Sequence, residues 1–289
     1  MIDFKQILFP VDMSEQVRRS APFVNAMAER FGSEILMLYA QEPPMPIYES
    51  PEAVGWVSLP EIDIVRKKRQ ADFENFLAKE FSGLRVRRTL AEGDAAQEIV
   101  AHANANHVGL IMLPTHGHSR FRRFLLGSVT AKVLHDTECP VWTSVHTPEV
   151  LSRNPQRWER LLCAVDLDAR DVRVIRWVAE FANERHLDVQ LVHAVAGARD
   201  AEGDSASSWR EFLFKIASED IDELQKEAGT SFPVTVRAGK PEHVVHDVAR
   251  ELDADLVVIG RGDLQHLLGR LRTHAYPIIR ESPCPVISV

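Results

Sequence analysis

Cysteine is scarce in this chain. There are three in 289 residues, Cys139, Cys163 and Cys284, and none has CxxC or CxxH spacing. An odd, scattered set supports neither a disulfide framework nor a zinc site, and it fits a reducing compartment, the cytoplasm. Long apolar runs are missing too: none reaches the ~18 residues of a membrane span. The opening MIDFKQILFPVD has no basic segment followed by an apolar one, so it reads as a first strand and not as a signal peptide. Positive charge is not in excess. The net charge is -8, with 16 basic against 18 acidic residues up to position 146 and 18 against 24 beyond it. Neither half carries the basic field that sequence-independent nucleic-acid binding requires, so neither nucleic acid nor membrane is an expected partner. Enzyme signatures are lacking as well: no G-x-x-x-x-G-K-S/T, no G-x-S-x-G, no H-E-x-x-H and no G-x-G-x-x-G after the first strand.

What the chain does have is a repeat of itself. Ile7-Leu8-Phe9-Pro10-Val11-Asp12 returns as Leu161-Leu162-Cys163-Ala164-Val165-Asp166, and Ile35 to Ala40 returns as Val189 to Ala194, both at an offset of 154. Ala91-Glu92-Gly93-Asp94 matches Arg237-Ala238-Gly239-Lys240, and Val108 to Pro114 matches Ala254 to Gly260, now at 146. Cys139-Pro140-Val141 matches Cys284-Pro285-Val286 at 145. The second copy is therefore shorter, mostly between its second and third strands. The division is 1–146 and 157–289, joined by 147–156, a polar stretch without period that holds Pro148 and Pro155.

Within each copy, short apolar runs alternate with helical patterns. ILFPV, EILMLYA, LRVRRTL, GLIMLP and PVWTSV have strand length and composition. Between them lie a periodic stretch at Ala21–Phe31, closed by Gly32, and another from Ala95 to Asn106. Alternation of this kind predicts an α/β fold: two tandem doubly wound domains, each an open five-stranded, mostly parallel sheet with helices on both faces. The acidic, Ser/Ala/Gly-rich stretch Gly197–Ser208 reads as a loop. The tryptophans Trp56, Trp142, Trp158, Trp177 and Trp209 read as packing residues. His243 and His246 share a helix face, but no third ligand stands near them in sequence, so no metal site is expected.

Ligands of open α/β sheets bind beyond the carboxyl ends of the strands, where strand order reverses. In the first copy those ends carry Asp12, Ala40 and Pro114 to Gly117. Asp12 either accepts hydrogen bonds from a ligand or caps the next helix with Ser14 and Glu15, and spacing alone favours neither. After Pro114-Thr115-His116-Gly117 come nine residues, then Gly127-Ser128 opening a helix. Glycines let backbone approach a ligand, and successive N–H groups with a helix N-terminus form an anion cradle.

These residues carry a family resemblance. Pro10-Val11-Asp12-x-Ser14, Glu92-Gly93-Asp94-Ala95, Thr115-His116-Gly117-x9-Gly127-Ser128 and the Cys-Pro-Val before each last strand make the chain resemble a tandem universal stress protein, two UspA-type domains in one polypeptide. The family's nucleotide-binding members carry G-x-x-G-x9-G-S/T and hold ATP there. The resemblance implies that Val11 and Asp12 meet the adenosine, that Ala40 lies by the adenine, and that Leu113, Pro114, Gly117, Gly127, Ser128 and Val129 line the ribose and phosphates, with or without Mg2+. It also implies pairing of the last strands between the two domains, an internal pseudo-dimer, with room for a homodimer of chains.

Two departures stand out. Pro114 replaces the motif's first glycine and removes one N–H donor. A hydrogen bond to a charged group is worth roughly 1.5–3 kcal/mol, about one to two decades of affinity. Arg120, Arg122 and Arg123 sit in the same loop, either facing the polyphosphate or simply solvated. In the second copy the motif is degraded: Gly260-Arg261-Gly262 is short, Arg272 and Thr273 stand opposite Gly127 and Ser128, and Tyr276-Pro277 delays the helix by about a turn. The expected function is an ATP-binding regulatory module of the stress response, with nucleotide in the first copy only. The alternative is an interaction scaffold that works without nucleotide. A weak ATPase ranks below both, since no general base is nameable and no catalytic residue is assigned.

Overall fold

The computed structural model describes residues 4–41, 59–115, 126–144, 154–196, 204–261 and 274–289. The first copy runs β1 (Gln6–Pro10), α1 (Glu15–Phe31), β2 (Glu34–Gln41), α2 (Leu59–Asn75), β3 (Val86–Glu92), α3 (Ala95–Ala105), β4 (Leu110–Pro114), α4 (Ser128–Asp136) and β5 (Val141–Ser144). A 3-10 turn at Pro155–Arg157 leads into β6 (Arg160–Ala164), α5 (Asp171–Arg185), β7 (Asp188–Val195), α6 (Asp204–Ala228), β8 (Val234–Ala238), α7 (Pro241–Glu251), β9 (Leu256–Ile259), α8 (Tyr276–Glu281) and β10 (Val286–Ser288).

All ten strands join one sheet in the order β3-β2-β1-β4-β5-β10-β9-β6-β7-β8. Every pairing is parallel except the central one, β5 with β10, which is antiparallel. Each half therefore reverses strand order between its first and fourth strands, β1/β4 and β6/β9, as a doubly wound sheet does. At the junction Trp142 lies opposite Ile287. These two occupy the same place in the two copies, so a pseudo-two-fold axis passes through that pair.

The strands are apolar on both faces because both faces are covered. Ile7, Phe9, Leu110 and Met112 point into one buried cluster with α1 and α5. Leu8 and Ile111 point into the other, with α3, α4, α7 and α8. Both clusters run across the junction. On the first face α1 also meets α5 directly. The rings of Phe4 and Phe31 stand edge to face at 4.8 Å, Phe31 stacks on Phe181 at 6.0 Å, and Arg30 donates to the carbonyl of Glu184 at 2.9 Å.

Three expectations need correction. Helix α1 begins at Glu15, six residues before the periodic stretch, because Ser14 caps it by accepting from the N–H of Val17 and because Pro22 is accommodated inside it. Asp204 to Ser208 are the first turns of α6 and not loop, since a long helix propagates cheaply through Ser and Ala once nucleated. The rest of that stretch, like Trp56, lies outside the described residues. Trp209 does not pack inside: it is 53% exposed and stacks on Phe212 on the outer face of α6. Trp142 and Trp158 are buried, and Trp177 stacks on Phe181.

Candidate functional site

In the first copy, parallel register lines up the candidate residues. Pro10 pairs with Leu38, so Asp12, two residues past β1, stands level with Ala40. Ile7 pairs with Leu110 and Leu8 with Ile111, which carries Val11 to the level of Pro114. Val11 is buried and donates its N–H to the Leu38 carbonyl at 2.8 Å, prolonging the ladder by one residue. The chain then turns sharply at Met13, whose φ of 58° is left-handed. Half-buried Asp12 accepts from the N–H of Ser14 at 2.9 Å. The Asp12 carboxylate therefore orders the turn at the strand ends, while the cap of α1 is Ser14 and not Asp12.

The far side of the site is built by β4 and α4. Leu113 and Pro114 end β4 and are buried. Thr115 donates twice to the Ser144 carbonyl, from its N–H at 3.2 Å and from its hydroxyl at 3.0 Å, so it locks the end of β4 to β5. Its own carbonyl accepts from the N–H of Gly127 at 2.8 Å. That bond ties the end of β4 to the start of α4 across the intervening loop. Thr130 adds a second tie, donating its hydroxyl to the Pro114 carbonyl at 3.1 Å.

Gly127 is the N-cap of α4, with no side chain over the helix end, and Ser128 and Val129 are exposed. The N–H groups of Ser128, Val129 and Thr130 occupy the first turn, where an α-helix offers no acceptor of its own, and the positive end of the dipole lies there. The described parts of the site thus bring together Val11, Asp12, Ala40, Leu113, Pro114, Gly127, Ser128 and Val129. His116, Gly117, Arg120, Arg122 and Arg123 lie outside the described residues. So do Gly262, Arg272 and Thr273 of the second copy.

The corresponding place in the second copy is filled differently. Asp171 stands where the first copy has Val17, and it is 5% exposed. Its carboxylate accepts from the N–H groups of Asp166 at 2.9 Å and Asp168 at 3.1 Å. A Cβ placed on Gly260, the counterpart of Pro114, would come within 3.7 Å of the same carboxylate. A buried acid therefore sits between the ends of β6 and β9. Burial raises it to about 6, with the charges of Asp166 and Asp168 adding and the two backbone bonds opposing. At neutral pH it is an anion where the first copy has a methyl group, and an anion repels phosphate. The signal was present in the sequence: under the 154 offset a charged residue falls on an apolar position of the first helix.

Arg261, the counterpart of Thr115, is the second residue missed. It is 7% exposed, and its guanidinium leaves its own copy to donate to the carbonyls of Thr137 at 2.7 Å, Glu138 at 3.0 Å and Cys139 at 2.8 Å, at the end of α4. Burial brings it down to about 10, so it keeps its charge at neutral pH. Beside it, burial pushes the Cys139 thiol up to about 12, and Cys139 bonds the Val108 carbonyl. Cys163 is raised by burial as well, so neither thiol is a ready nucleophile. His243 and His246 both turn to Glu281, His246 within 2.6 Å of its carbonyl. Among the described residues no group of three His, Cys, Asp or Glu is gathered to hold a metal ion.

Comparison with known proteins agrees with this architecture. The model of the universal stress protein family matches residues 3–144 and again 157–289. A universal stress protein of Methanocaldococcus jannaschii, MJ0531, is 28% identical over 140 residues, which is 48% of this chain and 80% of that protein. Universal stress protein YxiE of Bacillus subtilis is 28% identical over 145 residues, 48% of this chain and 97% of that protein. Among solved structures, a universal stress protein from Archaeoglobus fulgidus superposes with a TM-score of 0.67 at 21% identity, covering 99% of this chain and 96% of its own, a likeness of fold. With its domain matched twice, on the two halves of one ten-stranded sheet, the chain belongs to the universal stress protein family, as a tandem of two UspA-type domains.

Proposed function

We propose that the first half binds ATP and that the chain is a nucleotide-responsive regulatory module of the stress response, acting in the cytoplasm. The observation that carries this reading is the bond from the Gly127 N–H to the Thr115 carbonyl, which holds the bare N-terminus of α4 beside the end of β4 at the point where strand order reverses. The parts suit the ligand. Asp12 is an acceptor for ribose hydroxyls, Val11 and Ala40 give apolar contact for adenosine, and the amides of Ser128 and Val129 with the Ser128 hydroxyl are donors for phosphate. Gly117 belongs to the same motif, and Mg2+ would accompany the triphosphate. The second half does not suit it, since the buried Asp171 carboxylate lies beside Asp166 and Gly260 at the ends of β6 and β9.

Isothermal titration with ATP tests the reading. Binding that is lost on Gly127→Arg and kept on Asp171→Asn supports it. Absence of heat at millimolar ATP overturns it and leaves the scaffold reading, which the missing N–H of Pro114 favours.

A further inference from the structure

Helix α4 is held from two sides. Its own half supplies Thr130 on the Pro114 carbonyl and Lys132 paired with Asp94, the N-cap of α3, at 3.1 Å. The other half supplies Tyr276, the first residue of α8, whose hydroxyl donates to the Ala131 carbonyl at 2.9 Å within α4, and Arg261, whose fork takes the carbonyl of Thr137, the C-cap of α4, and those of Glu138 and Cys139 just beyond it. A cation at that end also complements the negative pole of the helix dipole. Ala131 and Tyr276 occupy the same place in the two copies, so α4 and α8 meet on the pseudo-two-fold axis.

The arrangement is not reciprocal. Thr115, the counterpart of Arg261, bonds Ser144 within its own half. The second half thus directs residues of its degraded motif, Arg261 and Tyr276, onto the helix that opens with Gly127 and Ser128 in the first.

We propose that Arg261 and Tyr276 are positioning residues through which the second half fixes α4, and so sets the grip of the first half on a triphosphate. The proposal rests on the nucleotide reading above. A nine-residue helix is only about 13 Å long, and it moves as a rigid body, so loosening its far end displaces its first-turn amides. Those amides meet phosphate. The adenosine is met by Val11, Asp12, Ala40 and Leu113 at strand ends, whose positions are set first by the β1, β2 and β4 ladders. Loss of the clamp therefore separates the two parts of the ligand.

The test compares the full chain with Tyr276→Phe, which removes one hydroxyl, with Arg261→Lys, which keeps the charge without the fork, and with Arg261→Met. Titrations use ATP and adenosine, and hydrogen exchange follows the amides of α4. The expected result is about a five-fold weaker ATP affinity for Tyr276→Phe and more for Arg261→Met, with Arg261→Lys between Arg261→Met and the parent, adenosine affinity within about two-fold of the parent, and faster exchange confined to α4. A general loss of packing would weaken both ligands alike, and that outcome overturns the proposal. Unchanged exchange in α4 overturns it, as does unchanged ATP affinity in Tyr276→Phe and Arg261→Lys. If the parent takes up no ATP, the nucleotide reading fails. The clamp itself is then decided by exchange alone, supported if α4 loosens and overturned if it does not.

Discussion

Trp142 stands directly across the antiparallel ladder from Ile287, its own counterpart in the second copy, and neither side chain has any exposed surface. The ring packs 5.4 Å from Phe23, and its Nε1 is buried with no hydrogen-bond partner among the described residues. Truncation at this seam should therefore be felt by both halves. Trp142→Ala is expected to cost about 3–5 kcal/mol and to lower a single shared unfolding transition. Trp142→Phe should cost far less, because it gives up ring volume but also removes a buried donor that nothing satisfies. Urea denaturation followed by circular dichroism measures both. Two separate transitions in the parent would show that the seam does not couple the halves.

Asp171 makes stability depend on pH in the direction opposite to most carboxylates. Its folded value, about 6, lies above its unfolded one. Its contribution is then fully present below pH ~4 and is lost as pH rises to 6 and beyond, by an amount of order 3 kcal/mol. Asp171→Asn keeps an acceptor for the Asp166 and Asp168 amides and carries no charge. It should be more stable than the parent at pH 7, with the difference shrinking towards pH 4.5. Asp94 and Glu251, held low by Gln97 with Lys132 and by Arg237, pull the other way in both proteins, so the quantity to follow is the difference between variant and parent. A difference that stays constant with pH would refute the assignment.

Gly93 and Gly239 hold the same turn in the two copies, with φ of 153° and 149°. Alanine is strained at either, at a cost of about 1–3 kcal/mol. The two should not be equal. A Cβ on Gly239 would meet the buried Val244 at 3.1 Å, whereas on Gly93 it would meet the end of the Glu98 side chain at 2.9 Å, which can swing aside. Thermal denaturation should place Gly239→Ala below Gly93→Ala.

Pro114→Gly is expected to tighten ATP binding by about ten-fold or more, because it supplies the N–H that the motif lacks. Thr130 bonds the carbonyl of this residue, so its tie to β4 survives the change. The stability cost of the added glycine is about 1 kcal/mol or less. Titration of variant and parent under identical salt measures the effect, and weaker binding by Pro114→Gly would mean that its amide does not face the phosphate.

Much of this architecture is legible in the chain. Internal repetition, alternating apolar runs and strand-end residues such as Asp12 and Pro114 lead to the doubly wound halves and to α3 and α4 within a residue or two, because those signals are local. What escaped was non-local. Nothing near Arg261 in sequence says that its side chain crosses to Thr137, and Asp171 stands out only when the two copies are set side by side and it falls opposite Val17. The start of α1 at Glu15 was only one of two readings of Asp12 with Ser14, because Ser14 lies outside the apolar period that marks the helix.

The clamp on α4 has a consequence for how such a protein arises. Two identical chains related by a two-fold axis must place the same residue on both sides of their contact, so an arginine that serves one partner would burden the other. Joining the copies in one polypeptide lifts that constraint. One copy is then free to keep Thr115 while its twin acquires Arg261, and a symmetric pair becomes a division of labour written along a single gene.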